Sequence, residues 1–259
     1  MSKPKMIFFD IDGTLLSHET GQIPDSAKRA LQKAKDAGIK LLIATGRHKQ
    51  FLKRDPWWET FGFEGFVTLN GGYCFVGDEL IHHSPLSPED VSRGVDYVIA
   101  NEIPCIFCEA EEMYASRSTP AWEAGYAKVN AKFPPICDVS RAKGQVVYQL
   151  AIQGLDYCEG ILAQTTDGTY TSWSWDGFDV IAKSSNKLVG ITAMAKYFGA
   201  DISEVAVLGD GHNDIEMIAG AGIGIAMGNA SDEVKAQADY VTADIDKDGV
   251  AQAIDHLLG

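Results

Sequence analysis

The stretch Phe8–Ser17 reads FFDIDGTLLS, and its reading decides the fold. Upstream, KMIFF is a short and fully apolar run, the signature of a parallel strand buried on both faces. It ends in two carboxylates, Asp10 and Asp12, and breaks at once into Gly13-Thr14. A carboxylate beside a core is costly unless a cation or hydrogen bonds compensate it. If strand geometry persists, residues two apart point the same way, so this strand delivers two acids to one place.

The pattern repeats downstream. IPDSAKRALQKAKDAGIK (23–40) predicts a helix capped near Asp25 or Ser26, with Ala27, Ala30, Leu31 and Ala34 on one stripe and Gly38 as the stop. KLLIATGR (40–47) is a second apolar strand, ending in Thr45-Gly46-Arg47, and GFVTLNGG (65–72) is a third. From about residue 79 the texture changes to an α-β-β-α-β-α-β-β order, an α+β layer with a mostly antiparallel sheet. Its last two strands form a hairpin around Asp176-Gly177. The parallel pattern returns with SEVAVLGD and further strand–helix pairs to the end. The expected architecture is an α/β, Rossmann-like parallel-sheet core with helices on both faces, residues 1–79 and 185–259, interrupted by an inserted α+β cap at 80–184.

AVLGDGHND (206–214) also ends a strand in acid, at Asp210, with Asp214 four residues on. In open α/β sheets ligands sit beyond the carboxyl ends of the strands. The two acidic clusters therefore converge on one crevice, where a divalent cation relieves their repulsion and an all-oxygen donor set suits magnesium. The Thr45 hydroxyl and nearby backbone N–H groups can hold a phosphoryl oxygen, and a lysine, Lys183 or Lys187, completes such a set. Gly46 lets the backbone approach a ligand.

Taken together, DIDGT, ATGR, a downstream lysine and GDGHND resemble the four motifs of the haloacid dehalogenase (HAD) superfamily of phosphatases. TLNGG and the long insertion resemble its Cof-type branch. The resemblance spans nearly the whole chain. It implies that Asp10 is the nucleophile forming an aspartyl-phosphate and Asp12 the general acid and base. It implies that Thr45 and Lys187 hold the transferring phosphoryl group. It further implies that Asp10, the backbone carbonyl of Asp12 and Asp210 bind Mg2+, with Asp214 in support. The family's third motif reads Ser-Lys or Thr-Lys; here Asn186 stands in the hydroxyl's place, which leaves Lys183 as runner-up to Lys187. Gly46, Arg47, Asn70 and Asn213 complete the expected substrate-binding set, with Arg47 alternatively a partner of acidic surface and Asn70 a plain turn residue.

The bulk numbers narrow the partners. The chain has 259 residues, 46% hydrophobic and 22% charged, an ordinary globular composition. A net charge of −14 repels nucleic-acid backbones. The 5 Cys are an odd number without paired spacing, which points to reduced thiols in the cytoplasm. Cys105 and Cys108 form a lone CxxC, read as core thiols. No signal peptide or membrane span is expected. A solvated linker is the reading for His82-His83, a loop for Trp57-Trp58, and cap packing or a sugar platform for Trp173 and Trp175.

The expected activity is magnesium-dependent hydrolysis of a small phosphorylated metabolite, a sugar phosphate first among them. A phosphosugar mutase or other phosphotransferase of the same fold shares the motifs. A receiver-type signalling domain gathers similar residues but needs about half this length and has no inserted cap.

Overall fold

The structure is a computed structural model that describes residues 3–54, 57–128, 132–174 and 177–259. Walking the chain, β1 (Met6–Phe9) leads through α1 (Asp25–Asp36) to β2 (Lys40–Ala44), then α2 (Lys49–Arg54) and α3 (Trp57–Phe61) to β3 (Gly65–Thr68). A hairpin of β4 (Tyr73–Val76) and β5 (Glu79–His83) follows. Next come α4 (Pro88–Ala100), β6 (Cys105–Cys108), β7 (Met113–Ala115), α5 (Pro120–Lys128), β8 (Gln149–Gln153), α6 (Cys158–Leu162), β9 (Gly168–Ser174) and β10 (Gly177–Ala182). The chain closes with α7 (Lys187–Tyr197), β11 (Val205–Gly209), α8 (Ile215–Gly220), β12 (Ile223–Ala226), α9 (Asp232–Lys235), β13 (Tyr240–Val241) and α10 (Gly249–Leu258).

Among the described residues the strands make two sheets. The first has eight, in the order β13-β12-β11-β1-β2-β3-β4-β5. It is parallel from β13 to β3 and antiparallel across β3-β4-β5. Strand alternation sends Ile7, Phe9, Leu41, Ile43, Ala206 and Leu208 to one face, where α1 and α10 cover them. Met6, Phe8, Leu42, Ala44, Val205 and Val207 go to the other, beneath α7 and α8. Burial on both faces explains why these strands read as continuous apolar runs.

The chain divides into two compact units: residues 1–47, 51–83 and 186–259, and residues 48–50 with 84–185. The second is an antiparallel sheet in the order β7-β6-β8-β10-β9. One face packs Cys105, Phe107, Leu150, Ile152, Phe178 and Val180 into a core with α4 and α6. By alternation Gln149, Gln153 and Asp179 lie on the opposite face. The unit closes at its own ends, where the Ser84 and Ser184 hydroxyls are 2.6 Å apart. Residues 48–50 join it by side chains. Gln50 N–H donates to His48 Nδ1 (3.1 Å), so His48 Nε2–H donates to the Glu109 carbonyl (2.8 Å). Burial holds that imidazole neutral, its pKa lowered to about 4. Lys49 pairs with Glu111, whose carbonyl accepts from Gln50 Nε2 at 2.6 Å.

Several local readings change. The β4–β5 hairpin was not legible, and residues 80–83 extend the first sheet. Trp57 and Trp58 begin α3 rather than lying in a loop, and Trp58 packs edge-to-face on Phe66 in the core. His82 and His83 are adjacent in β5, so their side chains take opposite faces and do not converge on one metal. Cys105 and Cys108 are buried, with both thiols pushed up by desolvation. Trp175, Asp176 and the side chain of Trp173 lie outside the described residues. No described helix is long and apolar enough to cross a membrane.

The turn after β3 seats α7. Gly71 has φ +89°, and a Cβ there would run into the Asn186 carbonyl. Gly71→Ala therefore costs both left-handed strain and a forced shift of the start of α7. The expected loss is about 1–3 kcal/mol, read as a lower thermal midpoint by scanning calorimetry. An unchanged midpoint would show that this contact relaxes freely.

Candidate active site

Asp10 lies one residue beyond β1, on the face covered by α7, and is 6% exposed. Lys187 opens α7 and is 1% exposed. Its ammonium donates to Asp10 Oδ1 and Asp214 Oδ1, both at 2.6 Å. Asn186 is the N-cap: its side-chain oxygen accepts from Val189 N–H at 2.9 Å. Where the resemblance expected a hydroxyl, the amide thus starts the helix that carries the lysine. Lys183 sits in the second unit, exposed, its ammonium on the Thr166 carbonyl at 3.0 Å.

Asp214 is fully buried and used at both ends. Oδ1 takes Lys187, and Oδ2 accepts from the N–H groups of Asp210 (3.0 Å) and Gly211 (2.9 Å). Asp214 therefore folds the loop after β11 and anchors the lysine. Asp210 Oδ1 accepts from Thr14 Oγ1 at 2.8 Å, and Oδ2 from Asn229 Nδ2 at 3.3 Å. Gly13, at φ +82°, is required here, because a Cβ would collide with the Asp210 carboxylate.

Asp12 stands apart from this group. Its carboxylate is forked by Arg47, Nε to Oδ2 at 2.7 Å and Nη2 to Oδ1 at 2.5 Å. The motif loop after β2 is laced to the turn after β3. Arg47 N–H donates to Thr45 Oγ1 (3.2 Å), Asn70 N–H to the Thr45 carbonyl (3.1 Å), and Leu69 N–H to the Arg47 carbonyl (3.2 Å). Leu69 and Asn70 both adopt left-handed backbone, at φ 51° and 53°. Such residues cost of order 1–3 kcal/mol each and persist only where the surroundings hold them. Asn213 Nδ2 donates to Asn70 Oδ1 at 3.0 Å, joining this turn to the loop after β11. Gly46 lies against the Asn70 side chain. His212 lies at the exposed rim, 3.7 Å from Glu233.

The electrostatics leave a deficit of positive charge. Asp10, Asp210 and Asp214 offer carboxylate oxygens within 4.8 Å of one another. Burial works against the Lys187 ammonium, but Asp10 and Asp214 outweigh it and hold the lysine protonated. One ammonium does not balance three acids. Desolvation raises the Asp10 pKa well above the ordinary range, with Asp214, Asp210 and Asp12 adding to it against Lys187. Desolvation, then Asp214, pushes Asp210 up to about 7. An all-oxygen group short of positive charge fits a hard divalent cation. Asp10, Asp210 and Asp214 are the group that could hold it; the side chain of Asp12 is turned to Arg47.

Thr14 and Asn229 were not assigned from sequence. Thr14 lies inside the DIDGT motif. Asn229 carries only a Gly-Asn turn signal and lies 216 residues from its partner Gly13.

A family model described as haloacid dehalogenase-like hydrolase matches residues 7–254. The solved structure of the HAD subclass IIB sugar phosphatase BT4131 superposes with a TM-score of 0.89 at 35% identity, covering 97% of this chain and 98% of that one. The suspected phosphatase YkrA of Bacillus subtilis is 30% identical over 254 residues, 98% of this chain and 97% of its own. The 5-amino-6-(5-phospho-D-ribitylamino)uracil phosphatase YcsE of the same organism is 29% identical, covering 98% and 96%.

A raised folded-state pKa means that the proton on Asp210 stabilises the metal-free protein at low pH, and that this contribution is lost as pH rises through about 7. A cation competes with that proton. Mg2+ should therefore raise the thermal midpoint more at pH 8 than at pH 5.5 in scanning fluorimetry. A larger shift at the lower pH would remove Asp210 from the ligand set. Separately, Lys187→Met leaves two buried carboxylates unpaired and should cost about 3–5 kcal/mol in the metal-free protein. Chemical denaturation in chelator measures this loss.

Proposed function

The chain belongs to the haloacid dehalogenase-like hydrolase family, and from that premise we propose that it is a magnesium-dependent phosphatase of small phosphate monoesters, sugar and polyol phosphates first among them. The observation that carries the reading is the buried Asp10, held at a strand end by Lys187 and facing Asp210. A carboxylate fixed this way has one oxygen committed to an ammonium and the other free of that bond for attack.

In the proposed reaction Asp10 attacks phosphorus and the ester oxygen departs with a proton from Asp12. Water deprotonated by Asp12 then cleaves the aspartyl-phosphate. Asp12 must leave the Arg47 fork to do this, which its 43% exposed side chain permits. The Thr45 hydroxyl, the Lys187 ammonium and the Asn70 amide supply donors for the phosphoryl oxygens. Asn213 holds Asn70 in place by donating to its side-chain oxygen. When bound, magnesium neutralises phosphoryl and carboxylate charge, the main demand of this transfer.

The similarity to a sugar phosphatase and to a phosphatase of a phosphoribityl compound supports the substrate class. Contacts to the non-reacting part of the substrate raise kcat/KM by positioning the phosphate.

Asp10→Asn should abolish phosphate release with the fold intact by circular dichroism; full turnover in a preparation free of wild type would refute the nucleophile. On a panel of sugar phosphates, nucleotides and phosphopeptides with Mg2+, a sugar or polyol phosphate should lead. A nucleotide or phosphopeptide in the lead overturns the substrate class, and a moved rather than released phosphate overturns hydrolysis.

A further inference from the structure

Asn229 follows β12 in the run Met227-Gly228-Asn229-Ala230. The loop is pinned on both sides by its backbone. Met227 N–H donates to the Gly209 carbonyl and Gly228 N–H to the Ala243 carbonyl, each at 3.0 Å. Between these pins the exposed Asn229 side chain makes three bonds. Nδ2 donates to the Gly13 carbonyl (2.8 Å) and to Asp210 Oδ2 (3.3 Å), while Oδ1 accepts from Ile245 N–H (3.0 Å). The partners determine the amide's orientation: a flipped amide would set oxygen against the Gly13 carbonyl and nitrogen against an N–H donor.

One side chain thus joins the turn after β1, the loop after β11 and the turn at 244–246. Its contact with Asp210 complements that of Thr14. Thr14 holds Oδ1 and Asn229 holds Oδ2, so the plane of this carboxylate is fixed from both ends. The bond to Gly13 fixes the backbone against which Asp210 packs. An exposed amide contributes little to core stability, yet this one spends both its nitrogen and its oxygen on the surroundings of Asp210.

We propose that Asn229 is a positioning residue for the divalent cation, orienting Asp210 and the Gly13 carbonyl so that Asp210 presents its oxygen beside Asp10. The proposal rests on the magnesium-phosphatase reading above. Groups that hydrogen-bond a metal's ligands typically set its affinity by ten- to a hundredfold.

The test measures Mg2+ binding by titration calorimetry without substrate, in wild type, Asn229→Ala, Asn229→Ser and Ser17→Ala. Ser17 is the control. Its hydroxyl donates to Asp246 at 3.1 Å, so Ser17→Ala loosens the same 244–246 turn without touching Asp210. The Kd for Mg2+ should rise about tenfold or more in Asn229→Ala, with the Mg2+ concentration for half-maximal activity rising in parallel. Ser17→Ala should stay within about twofold of wild type, because it leaves every ligand's partner in place. If Asn229→Ala does not fold, Asn229→Ser, a smaller change in the same loop, is judged by the same criterion. A Kd in the folded Asn229 variant within about twofold of wild type, or an equal loss in Ser17→Ala, overturns the proposal. Failure of wild type to bind Mg2+ overturns the metal reading itself, and this one with it.

Discussion

Everything at the head of the first sheet answers to one imbalance: three clustered carboxylates, two buried and one partly buried, have a single ammonium among them. Lys187 touches Asp10 and Asp214 at 2.6 Å and leaves Asp210 to hydroxyl and amide donors. A hydrophobic replacement for such a cluster would be at least as stable, since desolvating charges consumes most of what their attraction returns. The imbalance is therefore a functional expense, met by the rest of the fold. Two apolar faces, each covered by helices, hold the strand ends so firmly that the acids do not move apart to relieve it. The missing charge is what a bound divalent cation would supply.

The same firmness tolerates strain at Leu69 and Asn70. Their left-handed backbone is stabilised by bonds to Thr45, Arg47 and Asn213, and the turn they form lies against the start of α7. The motif loops are thus a single laced unit. The helix that carries Lys187, the turn that carries Asn70 and the loop that carries Asp214 constrain one another through short-range contacts, although their residues are far apart in sequence. Preorganisation of this sort is what phosphoryl chemistry asks of a protein, because little else remains for it to do.

How much of this was legible depends on how local each signal was. The strands β1, β2 and β11 announced themselves because burial on both faces keeps polar residues out of their interiors until the site begins. The acids stood out for the same reason. The β4–β5 hairpin did not, since YCFV and ELIHH are short, half-exposed and at the edge of the sheet. The helix beginning at Trp57 was hidden by the Pro56 before it. Asn186 looked like a departure from a motif until its capping bond to Val189 gave it a reason. Arg47 carried two readings, and only geometry set it on Asp12. Asn229 was out of reach altogether, because its partners come from three separate segments, one of them at the opposite end of the chain.

The hydroxyl contact between Ser84 and Ser184 has a consequence for variation in chain length. A hundred residues leave and return at one neck. The entropy of closing a loop grows only logarithmically, so doubling the enclosed chain costs about 0.6 kcal/mol. The neck therefore uncouples the size of the inserted unit from the stability of the sheet that bears it. Such a unit can gain or lose strands, or be exchanged whole, while the registers of β1, β2 and β11 stay as they are. The candidate site is kept by one part of the chain, and the other is at liberty to vary.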